Sequence, residues 1–534
     1  MPSHAPVTQA FFGLAVALLV SRAVLRLFSR YKRVGKSRLR TFFTRETPSR
    51  WAMDHYSQEG YTKYHSKGQP FLAKVFGEDY WVLPPKYLAD IKSAAPKSLS
   101  FFQALSDSFN MQASVGNLYS SNVEIKVVTQ YLNKRFPKIV PLLADEADFA
   151  VEKEMGNITE WRSYNAAELC ARLIHRTTSR VLVGPQLCRD EEYLDVTARF
   201  ARTVLVHGTL WNFVALGPLR RLFAWLTIGG HRRNLDHATS MLLPVIQNRL
   251  IDRDNGVDVS AENEDMLQWI IDTPGSIPGD ETPRRQAHHL LQQTFAASSA
   301  TGVLVTHALY QLLMLPSYVE PLREEIERVL LEQRGWTDNA LNNMPLLDSF
   351  FRETMRMYPA GSLTVARTVM DDSFTFHDGF KLQRGQKMIF PSLAIHLDPN
   401  NYKDPRNFDG FRFAKLEGQQ KAASASTVDT TFLQFGYGPH ACPGRFYAVK
   451  KAKLVLSRLL QHYEFQWDGK ISSRPAGMAF EAQMVPNREA KVLFRSRGPH
   501  KNSDKLAADT KNDIANQANE ELLVSSYSRT LEAP

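Results

Sequence analysis

The sequence predicts one large, mainly helical domain, and three observations carry that reading. Apolar segments continue from about residue 70 to 465, with no Gly/Ser-rich or Pro-rich linker and no repeat of fixed period. This outweighs the length prior, by which 534 residues would suggest about three domains. A very long helix is readable from Pro283 to Leu315: Thr282 supplies the N-cap, Pro283 opens the first turn and Pro316 stops it. At 1.5 Å per residue it would span about 50 Å. Finally, a glycine-rich loop, Phe435-Gly-Tyr-Gly438-Pro-His-Ala-Cys442-Pro-Gly444-Arg445, runs directly into a helix-like segment that extends to Leu460.

Charge divides the chain. The net charge is +10, but residues 1–45 hold nine Lys/Arg and no Asp/Glu, which leaves 56 basic against 55 acidic residues in the remainder. The pI of 9.3 therefore describes a basic N-terminal end and argues against nucleic-acid binding. Within that end an apolar run from Ala10 to Val20 extends through Phe28 if Arg22 and Arg26 snorkel, and Arg30, Lys32, Arg33, Lys36, Arg38 and Arg40 follow. A full span takes about 20 residues, so residues 8–28 read as a retained single-pass anchor. A cleaved leader is the competing reading, but its charge would precede the apolar run. The positive-inside rule leaves the bulk of the chain in the cytoplasm. Trp211 to Leu226, with aromatics mixed among Arg220 and Arg221, suits either an interfacial segment or a core-facing helix. The expected organisation is an anchor and basic flank at 1–45, a catalytic domain at 46–498 and a polar, disordered tail at 499–534.

Cys170, Cys188 and Cys442 are too few and too scattered for a disulfide framework or a zinc CxxC pair, which points to a reducing compartment. The sequon Asn157-Ile-Thr159 carries little weight. Cys442 stands apart. Gly436, Gly438 and Gly444 permit backbone conformations closed to other residues, and the helix that follows turns its N-terminal amides toward the sulfur, which favours a thiolate able to bind a metal.

The spacing Phe-x-x-Gly-x-x-x-Cys-x-Gly resembles the haem-binding loop of the cytochrome P450 family. That resemblance covers roughly residues 50–498 and implies a mainly α domain with small β-sheets, with haem b held through the Cys442 thiolate and bordered by Phe435, Gly436 and Ala297. It is supported upstream by Glu353 and Arg356, three apart on a helix ended by Pro359, with Arg356 86 residues before Cys442. Between them, Phe408-Asp-Gly-Phe411-Arg412-Phe413 is similar to the family loop whose arginine joins the Glu/Arg pair, although Gly410 stands where many members have proline. Glu353, Arg356 and Arg412 are expected to form a structural network of charge-assisted hydrogen bonds. Arg367, and His440 where many members have arginine, are implied as partners of the haem carboxylates.

The centre of the long helix, Phe295-Ala-Ala-Ser-Ser-Ala-Thr301-Gly302, puts small residues Ala296, Ala297 and Ala300 where a shallow groove over the iron, or close helix packing, would use them. Family members place an acid or polar residue and then a threonine here; the matching register puts Ser299 and Ala300 at those positions. Ala300 cannot relay a proton, so Ser299 or Thr301 with water, or a substrate hydroxyl, is expected to do so unless the reaction is other than ordinary hydroxylation; Thr301 is the first substitute because it shares a face with Ala297. Arg445, Lys450, Lys451 and Lys453 suggest a basic face for an electron donor or an ordinary solvated face. Substrate contacts are expected near Phe101–Phe109, at Thr301, Val303 and Val305, after Thr364 and near Met478–Phe480.

No GxGxxG follows a strand, so NADPH electrons would come through a separate NADPH-cytochrome P450 reductase. The expected function is a haem-thiolate monooxygenase of the endoplasmic reticulum membrane acting on a hydrophobic secondary metabolite, terpenoid or polyketide-derived. This follows from phrases such as Gly60-Tyr-Thr-Lys-Tyr-His-Ser-Lys-Gly68 and His396-Leu-Asp-Pro399, which look like fungal membrane-bound members. The alternatives are a haem-thiolate isomerase, dehydratase or desaturase, and a non-catalytic haem-binding sensor or scaffold.

Overall fold

The structure, a computed structural model, describes residues 53–75, 78–210, 226, 228–257, 263–414 and 424–498. The expected anchor at 8–28, the basic flank, the tail at 499–534 and the Trp211 to Leu226 segment other than Leu226 lie outside the described residues. Among the described residues no single helix is long and apolar enough to cross a membrane.

The principal helices are α1 (Phe101–Phe109), α2 (Phe136–Glu154), α3 (Ala166–Leu187), α4 (Glu191–Leu210), α5 (Gly229–Asp254), α6 (Pro283–Met314), α7 (Val319–Glu332), α8 (Pro345–Met357) and α9 (Arg445–His462). Their starts follow from local chemistry. Ser100 and Asn165 cap α1 and α3 by accepting the amides of Gln103 and Glu168, and α2, α6 and α8 carry proline in the first turn, where a missing N–H costs nothing. The long helix α6 has 32 residues and stops one residue before the expected Leu315, which serves as its C-cap.

Twelve strands are formed among the described residues. In chain order they are β1 (Phe71–Val75), β2 (Glu78–Val82), β3 (Leu99–Ser100), β4 (Arg162–Asn165), β5 (Thr364–Val369), β6 (Ser373–Thr375), β7 (Lys381–Gln383), β8 (Lys387–Phe390), β9 (Tyr463–Trp467), β10 (Met478–Phe480), β11 (Gln483–Val485) and β12 (Lys491–Ser496). The largest sheet runs β1-β2-β8-β5-β3, antiparallel except for the β2/β8 pair. A three-stranded sheet runs β4-β12-β9, and β6/β7 and β10/β11 are separate two-stranded pairs.

Helix α6 is the axis of the helical part and packs against α3, α4, α5, α8 and α9. The near approach of α3 is made at Gly302: a Cβ there would stand 3.3 Å from the Ala171 Cα. Helix α9 is enclosed by α2, α3, α6, α7 and α8, and one continuous apolar core joins these helices, including Leu173, Leu290, Leu309, Phe350 and Leu456. A smaller core, with Leu99, Val369, Met388 and Leu433, lies under the largest sheet. Gly302→Val would push a branched side chain into the α3 backbone. We expect it to lower stability by about 1–3 kcal/mol, seen as a lower urea midpoint with unchanged slope.

Candidate active site

The site is built from the Cys442 loop outward. Gly436 and Gly438 hold φ values of +76° and +72°, the left-handed region in which a Cβ is strained. At Gly438 the backbone is also close, since a Cβ would meet the Ile91 oxygen and Lys92 Cα at 3.2 Å. The Gly436 amide donates to the Leu433 carbonyl (2.9 Å), and the Cys442 amide donates to the Phe435 carbonyl (2.7 Å). The turn so closed leaves the Cys442 side chain accessible, yet within protein on most sides, and burial pushes its thiol pKa up. The amides of Gly444 and Arg445 and the Arg445 guanidinium oppose that shift. A metal cation at the sulfur would complete the reversal, because a coordinating thiol is deprotonated outright. Cys170 and Cys188 are fully buried, with thiols pushed up to about 12 chiefly by burial, and are inert by comparison.

Helix α8 braces this loop. Glu353 and Arg356, both fully buried, form a bidentate pair: Arg356 Nε and Nη2 each donate to a Glu353 carboxylate oxygen at 2.7 Å. The same carboxylate accepts from Arg412 Nε (3.2 Å) and from the Asp409 amide (3.0 Å). Arg356 Nη1 reaches the carbonyls of His396 (2.8 Å) and Pro405 (2.6 Å). His396 continues the chain of contacts. Its Nε2 accepts the Leu433 amide at 3.0 Å, so its Nδ1 carries the proton toward the Arg356 carbonyl at 3.2 Å. Burial, reinforced by Arg356, drops its pKa to about 3 and keeps the ring neutral.

Gly410 also has a local reason. A Cβ there would fall 2.8 Å from the Phe350 ring and 2.9 Å from the Tyr318 ring, and its amide donates to the Tyr318 hydroxyl at 3.0 Å. Proline has neither the space nor the N–H for this place.

Strand β5 delivers two polar groups to the same loop. On a regular strand Thr364 and Arg367, three apart, would face opposite ways. The register against β8 shifts between them, and Val365 sits at φ +58°, a bulge that restores a common face. Thr364 Oγ1 donates to the Leu433 carbonyl (3.1 Å) and Arg367 Nη2 to the Tyr437 carbonyl (2.9 Å). Arg367 is 1% exposed and makes no ion pair among the described residues; burial alone lowers its pKa to about 10. His440 lies close enough to feel its charge. Burial and then Arg367 lower the His440 pKa, and its Nε2 bonds the Pro96 carbonyl at 3.1 Å. Phe101 and Phe102 of α1 contact Arg367 and His440 respectively.

On α6 the open face is a stripe of Ala296, Ser299, Ala300 and Val303, at spacings of three, four and seven that share one side of a helix. Ala297 is half-buried. Thr301 is 4% exposed, and its hydroxyl donates back to the Ala297 carbonyl at 3.1 Å. Thr301 borders the cavity beside Ala300, but its hydroxyl is engaged by the Ala297 carbonyl, while Ser299 carries a hydroxyl on the open stripe. Val305 is fully buried in the main apolar core. A cavity of about 40 Å³ lies between α6 and the loop, lined by Ala300, Thr301, Leu304, Tyr358, Phe435 and Ala448 among others.

The basic face expected on α9 is not a surface. Lys450, Lys451 and Lys453 are buried. Lys450 binds Asp338 (2.7 Å), Lys453 binds Asp348 (2.6 Å), and Lys451 reaches the Thr178 hydroxyl (2.6 Å) and the Ala297 carbonyl (2.9 Å). The reason is that α9 is packed on nearly every side, so its charges point into neighbours rather than solvent.

The sequence model of the cytochrome P450 family matches residues 125–494. The chain belongs to the cytochrome P450 family. It is 42% identical over 492 residues to cytochrome P450 monooxygenase sirB of Leptosphaeria maculans, covering 91% of this chain and 93% of that one. It is 30% identical over 453 residues to ent-kaurene oxidase P450-4 of Gibberella fujikuroi (82% and 87% covered) and 30% identical over 454 residues to aspergilol synthase AuAP450 of Aspergillus ustus (83% and 82%).

Membership in the P450 family implies haem-thiolate chemistry, and the residues present fit it. Among the described residues no cluster of three or more His, Cys, Asp or Glu forms a metal site, so a metal at Cys442 would need the equatorial ligands that a porphyrin brings. Arg367 is a buried cation without a protein carboxylate, which suits a ring bearing propionates. Two residues of this P450 were not singled out for a role from sequence. His396 was visible only as part of a family-like phrase. Lys451 was grouped with its neighbours, although its own neighbours on the helix face, Tyr447, Leu454 and Val455, are apolar. Glu353→Gln would leave two arginines beside a neutral amide. We expect a loss of about 3–5 kcal/mol and a large drop in haem content, measured by pigment-to-protein ratio after purification.

Proposed function

We propose that this P450 monooxygenase is microsomal and inserts one oxygen atom of O₂ into a hydrophobic secondary metabolite, terpenoid or polyketide-derived, using NADPH electrons delivered by NADPH-cytochrome P450 reductase. Substrate, O₂, NADPH and H⁺ become oxygenated product, water and NADP⁺. The observation that carries the reading is Cys442: the accessible cysteine of the three, with two amides directed at its sulfur and a buried, unpaired arginine nearby. The activities for which the relatives ent-kaurene oxidase and aspergilol synthase are named support the substrate class. Residues 1–45 would anchor the enzyme in the endoplasmic reticulum membrane, with the catalytic domain in the cytoplasm and residues 499–534 as a polar tail.

Haem b, when bound, supplies O₂ binding and thiolate-assisted O–O cleavage. Cys442 would hold its iron; Arg367 and His440 would receive its propionates; Phe435, Gly436 and Ala297 would border the ring. Glu353, Arg356 and Arg412 keep the loop in register and touch neither substrate nor haem. Ala296 and Ala300 leave room above the ring, and Ser299 hands protons to the groove in place of the missing threonine hydroxyl. Phe446, 36% exposed and with the Arg445 guanidinium 4.3 Å from its ring centre, gives the reductase an aromatic and cationic contact in place of the buried lysines.

Ala300 favours one second reading, an isomerase or dehydratase that needs no proton delivery to O₂. Product formation without air and NADPH would establish it and remove the monooxygenase reading.

The reduced, carbon-monoxide-bound difference spectrum tests the central assignment: we expect a thiolate-type band in the wild type that Cys442→Ala abolishes. Ser299→Ala should lower product formed per NADPH by about 10²-fold or less, within the range of a lost proton donor, with hydrogen peroxide rising in step. Thr301→Val should change this ratio far less.

A further inference from the structure

Lys451 is fully buried where three helices meet. Its Nζ donates to Thr178 Oγ1 of α3 at 2.6 Å and to the Ala297 carbonyl of α6 at 2.9 Å, and stands 4.6 Å from the centre of the Tyr447 ring. The Thr178 hydroxyl in turn donates to the Ile174 carbonyl at 2.5 Å. All three N–H directions of an ammonium are thus used, on a hydroxyl, a carbonyl and an aromatic face.

The carbonyl it holds belongs to the groove. In a regular helix the Ala297 oxygen accepts only the Thr301 amide. Here it also accepts the Thr301 hydroxyl and Lys451. A carbonyl has two lone pairs, so the Ala297 oxygen is fully engaged, and through it Lys451 ties α9 to the α6 turn that carries Ser298, Ser299 and Ala300. We infer that Lys451 is a positioning residue for oxygen chemistry, setting the open α6 groove and the placement of Ser299 by holding the Ala297 carbonyl from α9. This rests on the proposed role of that groove.

Stability alone does not account for the lysine. No carboxylate reaches it among the described residues. Facing it from α3 is His175, whose neighbour Arg176 is held by Glu154 and Glu191. From α6 come a carbonyl and hydroxyls. On α9, Lys450 and Lys453 are taken by Asp338 and Asp348, and on α2, Glu146 and Asp148 are taken by Arg189 and Arg458. Burial pulls the Lys451 pKa down to about 7. The unfolded chain then binds more protons than the folded one between about pH 7 and 10.5, so stability rises with pH across that window and is least below it. An apolar residue of similar volume removes that penalty.

The test uses the full-length, haem-loaded enzyme and Lys451→Met. The variant should keep the carbon-monoxide band and melt above the wild type at pH 6, with the gap shrinking toward pH 9.5. Its product per NADPH should fall about fivefold, the scale of a modest misplacement. The wild-type ferric spin-state spectrum should show a transition near pH 7 that Lys451→Met lacks. His175, held neutral with a pKa near 4, would not titrate there. If Lys451→Met couples electrons as the wild type does and titrates identically, the inference is overturned. If it fails to take up haem, Thr178→Val decides: with one acceptor lost, the wild-type transition should move to lower pH, and an unmoved midpoint overturns the inference. A wild type without the thiolate band would instead overturn the reading of the site itself.

Discussion

The Glu353 carboxylate is the constraint from which the site is assembled. Fully buried, it answers two guanidinium groups and a backbone amide, and no member can be removed without stranding another. Such a buried cluster adds little net stability, since its Coulombic gain is largely spent on desolvation; what it supplies is geometry. Only Arg356 and His396 separate this carboxylate from the first amide of the Cys442 loop, so the position of a sulfur on one element is tied to a helix far away in sequence. The neutrality of His396 is part of the device, because a protonated ring would offer a donor where the Leu433 amide needs an acceptor.

Among the described residues Arg367 and Lys451 are buried cations without a carboxylate partner, and they differ in kind. Arg367 stays charged under any physiological condition and sits where a carboxylate-bearing ligand would neutralise it. Lys451 shares its protons with a carbonyl and a hydroxyl, at a pKa near neutrality. One is suited to hold an anion and the other to adjust a helix. The bulge at Val365 serves the first by bringing Arg367 and Thr364 to one face.

Much of the fold was legible because its boundaries are written in local chemistry. Thr282-Pro283 and Pro316 delimit α6 to within one residue, and the absence of linkers from 70 to 465 matches a continuous apolar core joining the principal helices. The cysteine loop was legible from its glycines. What the sequence did not show was tertiary surroundings. The lysines of α9 read equally as a face for an electron donor or a solvated face, both of them exposed, and only the helices packed around α9 reveal otherwise. Thr301 does share a face with Ala297 and borders the cavity, but that proximity also lets its hydroxyl bond the Ala297 carbonyl, which spacing alone does not reveal. The Val365 bulge and the acceptor role of His396 depend on partners about 25 and 37 residues distant, beyond the reach of periodicity.

The glycine at position 410 carries a consequence beyond its own loop. Its amide and its missing Cβ are matched to the Tyr318 ring and hydroxyl, on a segment 92 residues earlier. A single exchange to proline removes the donor and drives carbon into two rings; a single change at Tyr318 leaves the amide unanswered. The two positions can move only together, so a change at 410 has to be matched at 318, and a loop transplanted with proline at 410 would fail unless position 318 came with it.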